Sequence, residues 1–158
     1  MRIAVGADHA GFELKTQLIP WLEKAGSEVI DFGAHEYEAS DDYPDFASAV
    51  ASAVSSGVAE RGIVFCGSGV GACITANKIP GARACLCHDT FTARQGVEHD
   101  DMNIICLGGR VIGIELSKVV LTTFLDAAYS AEPRFQRRLD KLLRVEKFGV
   151  GALQSKPS

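Results

Sequence analysis

Residues Ile63-Val64-Phe65-Cys66-Gly67-Ser68-Gly69-Val70-Gly71 decide the architecture of this chain. An apolar, β-branched run reads as a short buried strand. Glycines at alternate positions then turn the chain into a helix that reaches about Lys78. A strand that ends in glycine and feeds straight into a helix is one unit of a parallel α/β fold.

The same alternation recurs on both sides of this unit. Upstream, Ile3 to Gly6 and Glu28 to Phe32 read as strands. Phe12 to Ala25 reads as a helix with Leu14, Leu18 and Leu22 on one face, and Pro20 is expected to kink it or shift its register. A polar segment from Gly33 to Asp42 is the longest loop. Pro44 opens a second helix with Phe46, Val50 and Val54 facing the core. Downstream, Arg83 to Cys87 and Asn103 to Leu107 are strands, and Asp89 to Val97, Ile114 to Ala128 and Arg134 to Glu146 are helices. Strict alternation predicts a five-stranded parallel sheet inside a three-layer α/β/α sandwich. Residues 1–148 are expected to form one domain and 149–158 a loose tail. Strand order does not follow from the pattern.

The chain has 158 residues, 47% of them apolar, enough for one core without disulfide or metal support. A net charge of −4 argues against a general nucleic-acid binder. The longest apolar region, Ile112 to Ala128, is broken by Glu115, Lys118 and Asp126, so no membrane span is expected. Met1-Arg2 runs straight into Ile3-Ala4-Val5 and Asp8 ends that apolar run, so no signal peptide is read there and the expected address is the cytoplasm. Five cysteines, an odd number with apolar flanks, favour free thiols. Cys85-x-Cys87-His88 lacks a second ligand pair at finger-like spacing, so no metal site is expected.

In parallel sheets ligands bind at the carboxyl ends of the strands. Four strands end there in polar or glycine-rich groups: Asp8-His9-Ala10-Gly11, Cys66 to Gly71, His88-Asp89 and Gly108-Gly109-Arg110. Asp8 and Asp89 each have a plain reading as helix caps. The segment Gly67-Ser68-Gly69-Val70-Gly71 can turn backbone N–H groups toward an anion. It lacks the Lys-Ser/Thr ending of a nucleotide-binding P-loop. Cys66 stands at the mouth of this nest and could serve as nucleophile or base, where a lone strand-end cysteine would read as core. Arg134 and Arg138 share one helical face and could hold a phosphate, though helix surfaces of this kind are often only solvated.

Asp8-His9-Ala10-Gly11-Phe12, Asp42-Tyr43-Pro44-Asp45, Cys66 to Gly71, Ala76-Asn77-Lys78, His99 to Asn103 and Gly109-Arg110-Val111 together resemble ribose-5-phosphate isomerase type B, a family whose relatives include allose-6-phosphate and galactose-6-phosphate isomerases. The resemblance runs from Arg2 to about Glu146. It implies an aldose–ketose isomerase that works through an enediolate without metal or organic cofactor. It implies that Cys66 moves a proton between C1 and C2, that Ser68 assists it, and that Gly67, Gly69, Val70 and Gly71 stabilise the enediolate oxygen. It implies that His99 helps open the sugar ring, that Asp8 and His9 bind substrate, and that Arg110, Arg134 and Arg138 bind the sugar or its phosphate. Another branch places a glutamate base one residue after the loop; Ala72 stands there, so the cysteine type fits.

Two positions depart from the family pattern. Asp100 replaces an asparagine beside His99 near the substrate, and Phe135 replaces a histidine after Arg134. Both bear on substrate identity more than on reaction type. Alternatives are an isomerase of allose 6-phosphate, galactose 6-phosphate or erythrulose 4-phosphate, or a non-catalytic sugar-phosphate-binding module. A thiol redox protein would need a resolving partner for Cys66, and no C-x-x-C is present. The predicted helix starting at Asp89 returns to the amino edge of the sheet, so His99 is expected there, opposite Cys66. The expected assembly is therefore a homodimer, or a dimer of dimers, with shared active sites.

Overall fold

The computed structural model describes residues 1–153. The elements run β1 (Arg2–Ala7), α1 (Phe12–Lys24), β2 (Glu28–Asp31), α2 (Tyr43–Ser55), β3 (Arg61–Cys66), α3 (Val70–Ala76), β4 (Ala84–Leu86), α4 (Thr90–Asp100), β5 (Ile104–Gly108), α5 (Ile114–Asp126) and α6 (Pro133–Phe148). The five strands form one sheet in the order β2-β1-β3-β5-β4, with every neighbouring pair parallel. The chain leaves β1 toward β2 on one side and returns to β3 on the other. This reversal opens a crevice at the carboxyl ends of β1 and β3, where open α/β sheets bind ligands.

Alternation along each strand builds two cores. Ile3, Val5, Ile63, Phe65, Ile105 and Leu107 face α1, α4 and α5. Ala4, Val64, Cys66, Ile104 and Cys106 face α2 and α3. Both faces of the central strands are apolar, as a sheet covered on both sides requires. Cys66 therefore points into the α2–α3 layer, whose Ala47, Ala51, Ala72 and Ala76 are buried and let the helices lie close. The helix α6 packs outside this sandwich against α4. Among the described residues no helix is long and apolar enough to cross a membrane.

Several boundaries differ from the sequence reading for local reasons. Pro20 lies inside the helix Phe12–Lys24 on an exposed face, where the carbonyl it leaves unpaired is not buried. Phe46 is only half-buried and lies against Gly33, while the α2 core is built from Ala47, Val50, Ala51 and Val54. The helix α4 continues past Val97 to Asp100 and stops at Asp101, which adopts φ 51°, a left-handed conformation that aspartate tolerates. His99 and Asp100 thus sit in the last turn of α4 rather than after it. Of the expected tail, Gly149 to Leu153 are described, with Ala152 buried; residues 154–158 lie outside the described residues.

One buried cation pins the long loop to this frame. Lys15 of α1 is 2% exposed, and its Nζ donates to Asp31 Oδ1 at 2.7 Å, Asp31 Oδ2 at 2.8 Å and the Ala34 carbonyl at 2.7 Å. The Asp31 carboxylate also accepts the Gly33 N–H at 2.9 Å. The start of the 33–42 loop is further tied to β1 by Ala34 N–H to the Ala7 carbonyl and Ala7 N–H to the Gly33 carbonyl, each 2.7 Å. A charge buried with all its donors matched is tolerated, and removing it strands its partners. Lys15→Met keeps the apolar volume but leaves the Ala34 carbonyl without its donor and Asp31 with only the Gly33 N–H and His35, so it should lower unfolding stability by about 2–3 kcal/mol in a denaturant titration.

Candidate active site

Three turns converge at the carboxyl edge. The first follows β1. Asp8 is 5% exposed, and its Oδ1 accepts the N–H groups of Ala10 and Gly11 at 3.0 Å each. This closes an Asx-type turn before α1, and the other carboxylate oxygen has no hydrogen bond among the described residues. A Cβ added to Gly11 would fall 2.4 Å from the Phe65 carbonyl carbon and 2.6 Å from the Cys66 nitrogen. Only glycine lets this turn lie directly on the end of β3.

The second turn follows β3. Cys66 is 6% exposed, and its thiol makes no hydrogen bond among the described residues. Gly69 has φ 82° and begins α3. The N–H groups of Ser68, Gly69, Gly71 and Ala72 find no acceptor among the described residues, whereas that of Val70 reaches its neighbour Ser68 Oγ at 3.3 Å. The phenol ring of Tyr43, from the first turn of α2, lies against Gly71. Unpaired donors next to a nearly buried thiol form a nest suited to an oxyanion.

The third turn follows β5 and locks the second in place. Gly109 N–H donates to the Cys66 carbonyl at 2.8 Å and Arg110 N–H to the Gly67 carbonyl at 3.0 Å. The Arg110 guanidinium lies over Gly67, with Nη1 3.6 Å from where a Cβ would stand. His88 is taken up structurally: its Nε2 accepts the Gly108 N–H at 2.9 Å, and Asp89 caps α4 by accepting the Thr92 N–H at 2.8 Å. Those two residues hold the edge together.

Sequence reasoning missed Asp41. It lies in the 33–42 loop, and its Oδ1 accepts both the His9 backbone N–H at 2.9 Å and His9 Nδ1 at 2.7 Å. The hydrogen bond that Asp41 accepts from the His9 ring raises the His9 pKa, with a smaller contribution from the nearby Asp8 charge. No spacing marks this pairing, because the partners are 32 positions apart and a helix, a strand and most of a loop intervene.

The remaining expected site residues gather at the opposite edge. His99, in the last turn of α4, stacks on Phe135 with ring centroids 4.0 Å apart and 16° between planes. Phe135 is 2% exposed and carries the Arg134 guanidinium 4.4 Å above its ring, with that of Arg138 at 6.0 Å. Arg134 Nε also meets Glu132 at 3.0 Å. The aromatic residue at position 135 therefore orders an imidazole and two guanidinium groups. The amino edge is identified by Arg83 and Asn103, which precede β4 and β5 and pair with each other, while Arg83 also holds Asp101. The five residues of β5 separate the two edges by ~16 Å. A groove of about 570 Å³ bounded by Asn77, Arg83, Cys85, Leu142 and Val145 contains Asp100 but not Cys66. One chain thus brings Asp8, His9, Cys66, the glycine loop and Arg110 together, and holds His99, Arg134 and Arg138 apart from them. Among the described residues no group of three or more His, Cys, Asp or Glu side chains is placed to hold a metal ion.

A model of the ribose/galactose isomerase family matches residues 3–142. Ribose-5-phosphate isomerase B of Mycolicibacterium paratuberculosis is 43% identical over 147 residues, covering 93% of this chain and 92% of that protein. D-erythrulose-4-phosphate isomerase of Pectobacterium atrosepticum is 40% identical over 129 residues, 82% of this chain and 85% of that protein. The solved structure of Clostridium thermocellum ribose-5-phosphate isomerase B superposes with a TM-score of 0.90 at 47% identity, covering 93% of this chain and 98% of that one.

Gly69 and Gly57 separate backbone cost from packing cost. Both have positive φ, but a Cβ at Gly69 would lie 2.5 Å from Leu86 Cδ1 and 3.1 Å from the Leu107 carbonyl carbon, while at Gly57 it meets nothing within 4 Å. In denaturant titrations Gly57→Ala should cost about 1 kcal/mol, the left-handed penalty alone. Gly69→Ala should cost more, by about 1–3 kcal/mol for the forced shift of β5 or Leu86.

Proposed function

The chain belongs to the ribose/galactose isomerase family, and we propose that it interconverts ribose 5-phosphate and ribulose 5-phosphate through an enediolate, with Cys66 as the proton-transferring base. The observation that carries this reading is the nearly buried, otherwise unbonded Cys66 thiol beside the unpaired N–H donors of Ser68, Gly69, Gly71 and Ala72. Isomerisation needs a base at a carbon next to a carbonyl and donors for the oxygen that becomes anionic.

The step balances as follows. The thiolate of Cys66 takes the proton from C2 of the open-chain aldose. The C–H electron pair becomes the C1=C2 bond and the C1 carbonyl becomes an oxyanion held by the loop N–H groups. The C2 hydroxyl then passes its proton to the C1 oxygen, the electron pair left on the C2 oxygen forms the C2 carbonyl, and the C1=C2 pair takes the proton back from the thiol at C1, which regenerates the thiolate. Ser68 stands on the same loop two residues after Cys66, and Asp8 offers its unengaged carboxylate oxygen to a sugar hydroxyl. Arg110 supplies positive charge at the mouth, and beside it stands His9, whose pKa is raised by its hydrogen bond to Asp41. Ala72 leaves no glutamate to compete for the role of base.

His99, Arg134 and Arg138 serve a second copy of the chain in this account. Their separation from Cys66 by the length of β5 exceeds the reach of one small phosphosugar, and a two-fold dimer would bring one chain's arginines to the other's cleft. His99, ordered by its stack on Phe135, then assists ring opening, and the arginines hold the phosphate. That remote binding energy orients the reacting end. All five cysteines are unpaired, which suits a cytoplasmic enzyme. The Pectobacterium relative, named for a four-carbon substrate, favours one competing reading, a different sugar phosphate.

An assay with the phosphates of ribose, allose, galactose and erythrulose should give the highest kcat/KM with ribose 5-phosphate; a higher value for another sugar transfers the assignment to that substrate. Cys66→Ala should lower kcat by ~10²–10⁴ with KM nearly unchanged. Near wild-type turnover would remove Cys66 from the base role. Arg134→Ala or Arg138→Ala should weaken phosphosugar binding by ~1.5–3 kcal/mol in a calorimetric titration and leave the weak binding of free ribose unaltered.

A further inference from the structure

The 33–42 loop has one contact whose purpose the fold does not require. Asp41 reaches 32 residues back along the sequence to His9 and holds it twice through one oxygen, at the backbone N–H and at ring Nδ1. Its side chain is 11% exposed, and its second oxygen, Oδ2, is buried without any hydrogen-bond partner. Buried carboxylate oxygens are usually paired, and this one belongs to the carboxylate whose other oxygen holds His9. The loop itself is already secured by Lys15, Asp31 and Ala34 on β1 and α1.

With Nδ1 occupied, the imidazole keeps one free nitrogen. Nε2 makes no hydrogen bond among the described residues, and the His9 side chain is 28% exposed at the edge that carries Cys66. The Tyr37 ring, from the same loop as Asp41, meets the imidazole edge-on at 6.4 Å and restricts its tilt. The titratable groups facing His9 are Asp41 and Tyr37 from the loop and Asp8 from the end of β1. On the neighbouring turns stand Cys66 and Arg110, and Lys15 of α1 is committed to Asp31.

We infer that Asp41 is a positioning residue that fixes the His9 ring and keeps it cationic, so that Nε2–H is presented to an anionic oxygen of the bound phosphosugar. The identity of that ligand rests on the isomerase reading; the coupling between Asp41 and His9 does not. The two acidic neighbours raise the His9 pKa, so the cation persists to higher pH than in a free imidazole and is lost as pH rises through the raised value. Removing the Asp41 charge lowers that value, and the donor is then lost at lower pH.

The test is an NMR titration of the His9 imidazole in the wild-type protein and in Asp41→Asn, which preserves size and an acceptor oxygen but removes the charge. The wild-type midpoint should lie above ~6.5, the ordinary imidazole value, and fall by about one unit in the variant. Added inorganic phosphate should shift the His9 signals more strongly in the wild type than in the variant at pH 7.5. In steady-state assays the KM ratio of Asp41→Asn to wild type should be roughly 5–20 at pH 7.5, approach 1 near pH 5.5, and come with little change in kcat. In a His9→Gln background, Asp41→Asn should add nothing to KM. Equal His9 midpoints in the two proteins overturn the inference, as does a KM effect that is independent of pH or survives in His9→Gln. Should Asp41→Asn fail to fold, a wild-type midpoint at or below ~6.5 is by itself contrary and one clearly above it supportive. Absence of isomerase activity in the wild type would count against the proposed reaction, while the titration still judges the Asp41–His9 coupling.

Discussion

Everything at the carboxyl edge depends on how closely β1 and β3 end against each other. The turn after β1 lies so near the Phe65–Cys66 peptide that a methyl group on Gly11 would overlap it. The turn after β5 closes from the other side, through Gly109 N–H on the Cys66 carbonyl and Arg110 N–H on that of Gly67. A Cβ on Gly108 would in turn sit 2.7 Å from Ser68 backbone atoms. The glycine loop is thus clamped by backbone from three strands. Its N–H groups are fixed before any ligand arrives, the condition under which such donors are most effective on a developing charge. The same clamp fixes Cys66, which pairs with Gly108 of β5 and whose side chain is set by strand alternation into the α2–α3 layer.

On the proposed reading, one chain holds only part of the phosphosugar site. Cys66 and the glycine loop occupy the crevice between β1 and β3, while the paired arginines ride on α6, which packs outside the sandwich against α4. Phe135 ties this second group together: it is buried, it stacks on His99, and it carries Arg134. The departure from a histidine at this position therefore has a physical role, since an aromatic ring can order both imidazole and guanidinium faces. Asp100, the other departure, is exposed and borders the groove beside α6. Nothing in the structure explains its replacement of an amide.

The layered fold was legible because the strands carry short continuous apolar runs and the helices a stripe of period 3.6, and these signals are local. The skip of the chain from β3 to the edge strand β4 before it returns to β5 was not, since no residue encodes a neighbour across the sheet. The end of α4 was misplaced because its stop is a left-handed Asp101 held by Arg83, a contact between distant segments. The carboxyl-edge residues Asp8, His9, Cys66, Gly67 to Gly71 and Arg110 were legible as strand-end punctuation, and the structure gathers them. Asp41 was invisible: an aspartate in a polar loop looks like solvent-facing charge, and only the fold of that loop carries it to His9.

The central claim is that the site is assembled from two copies of the chain, with Cys66 from one and His99 from the other. Complementation tests it most directly. Cys66→Ala and His99→Ala proteins, each nearly inactive alone, are mixed in equal amounts under conditions that exchange subunits, and exchange is verified by native mass spectrometry. Half of the dimers are then mixed, and each holds one intact site, so activity should recover to about a quarter of the wild-type value. No recovery despite verified exchange would contradict the account and return both residues to a single chain.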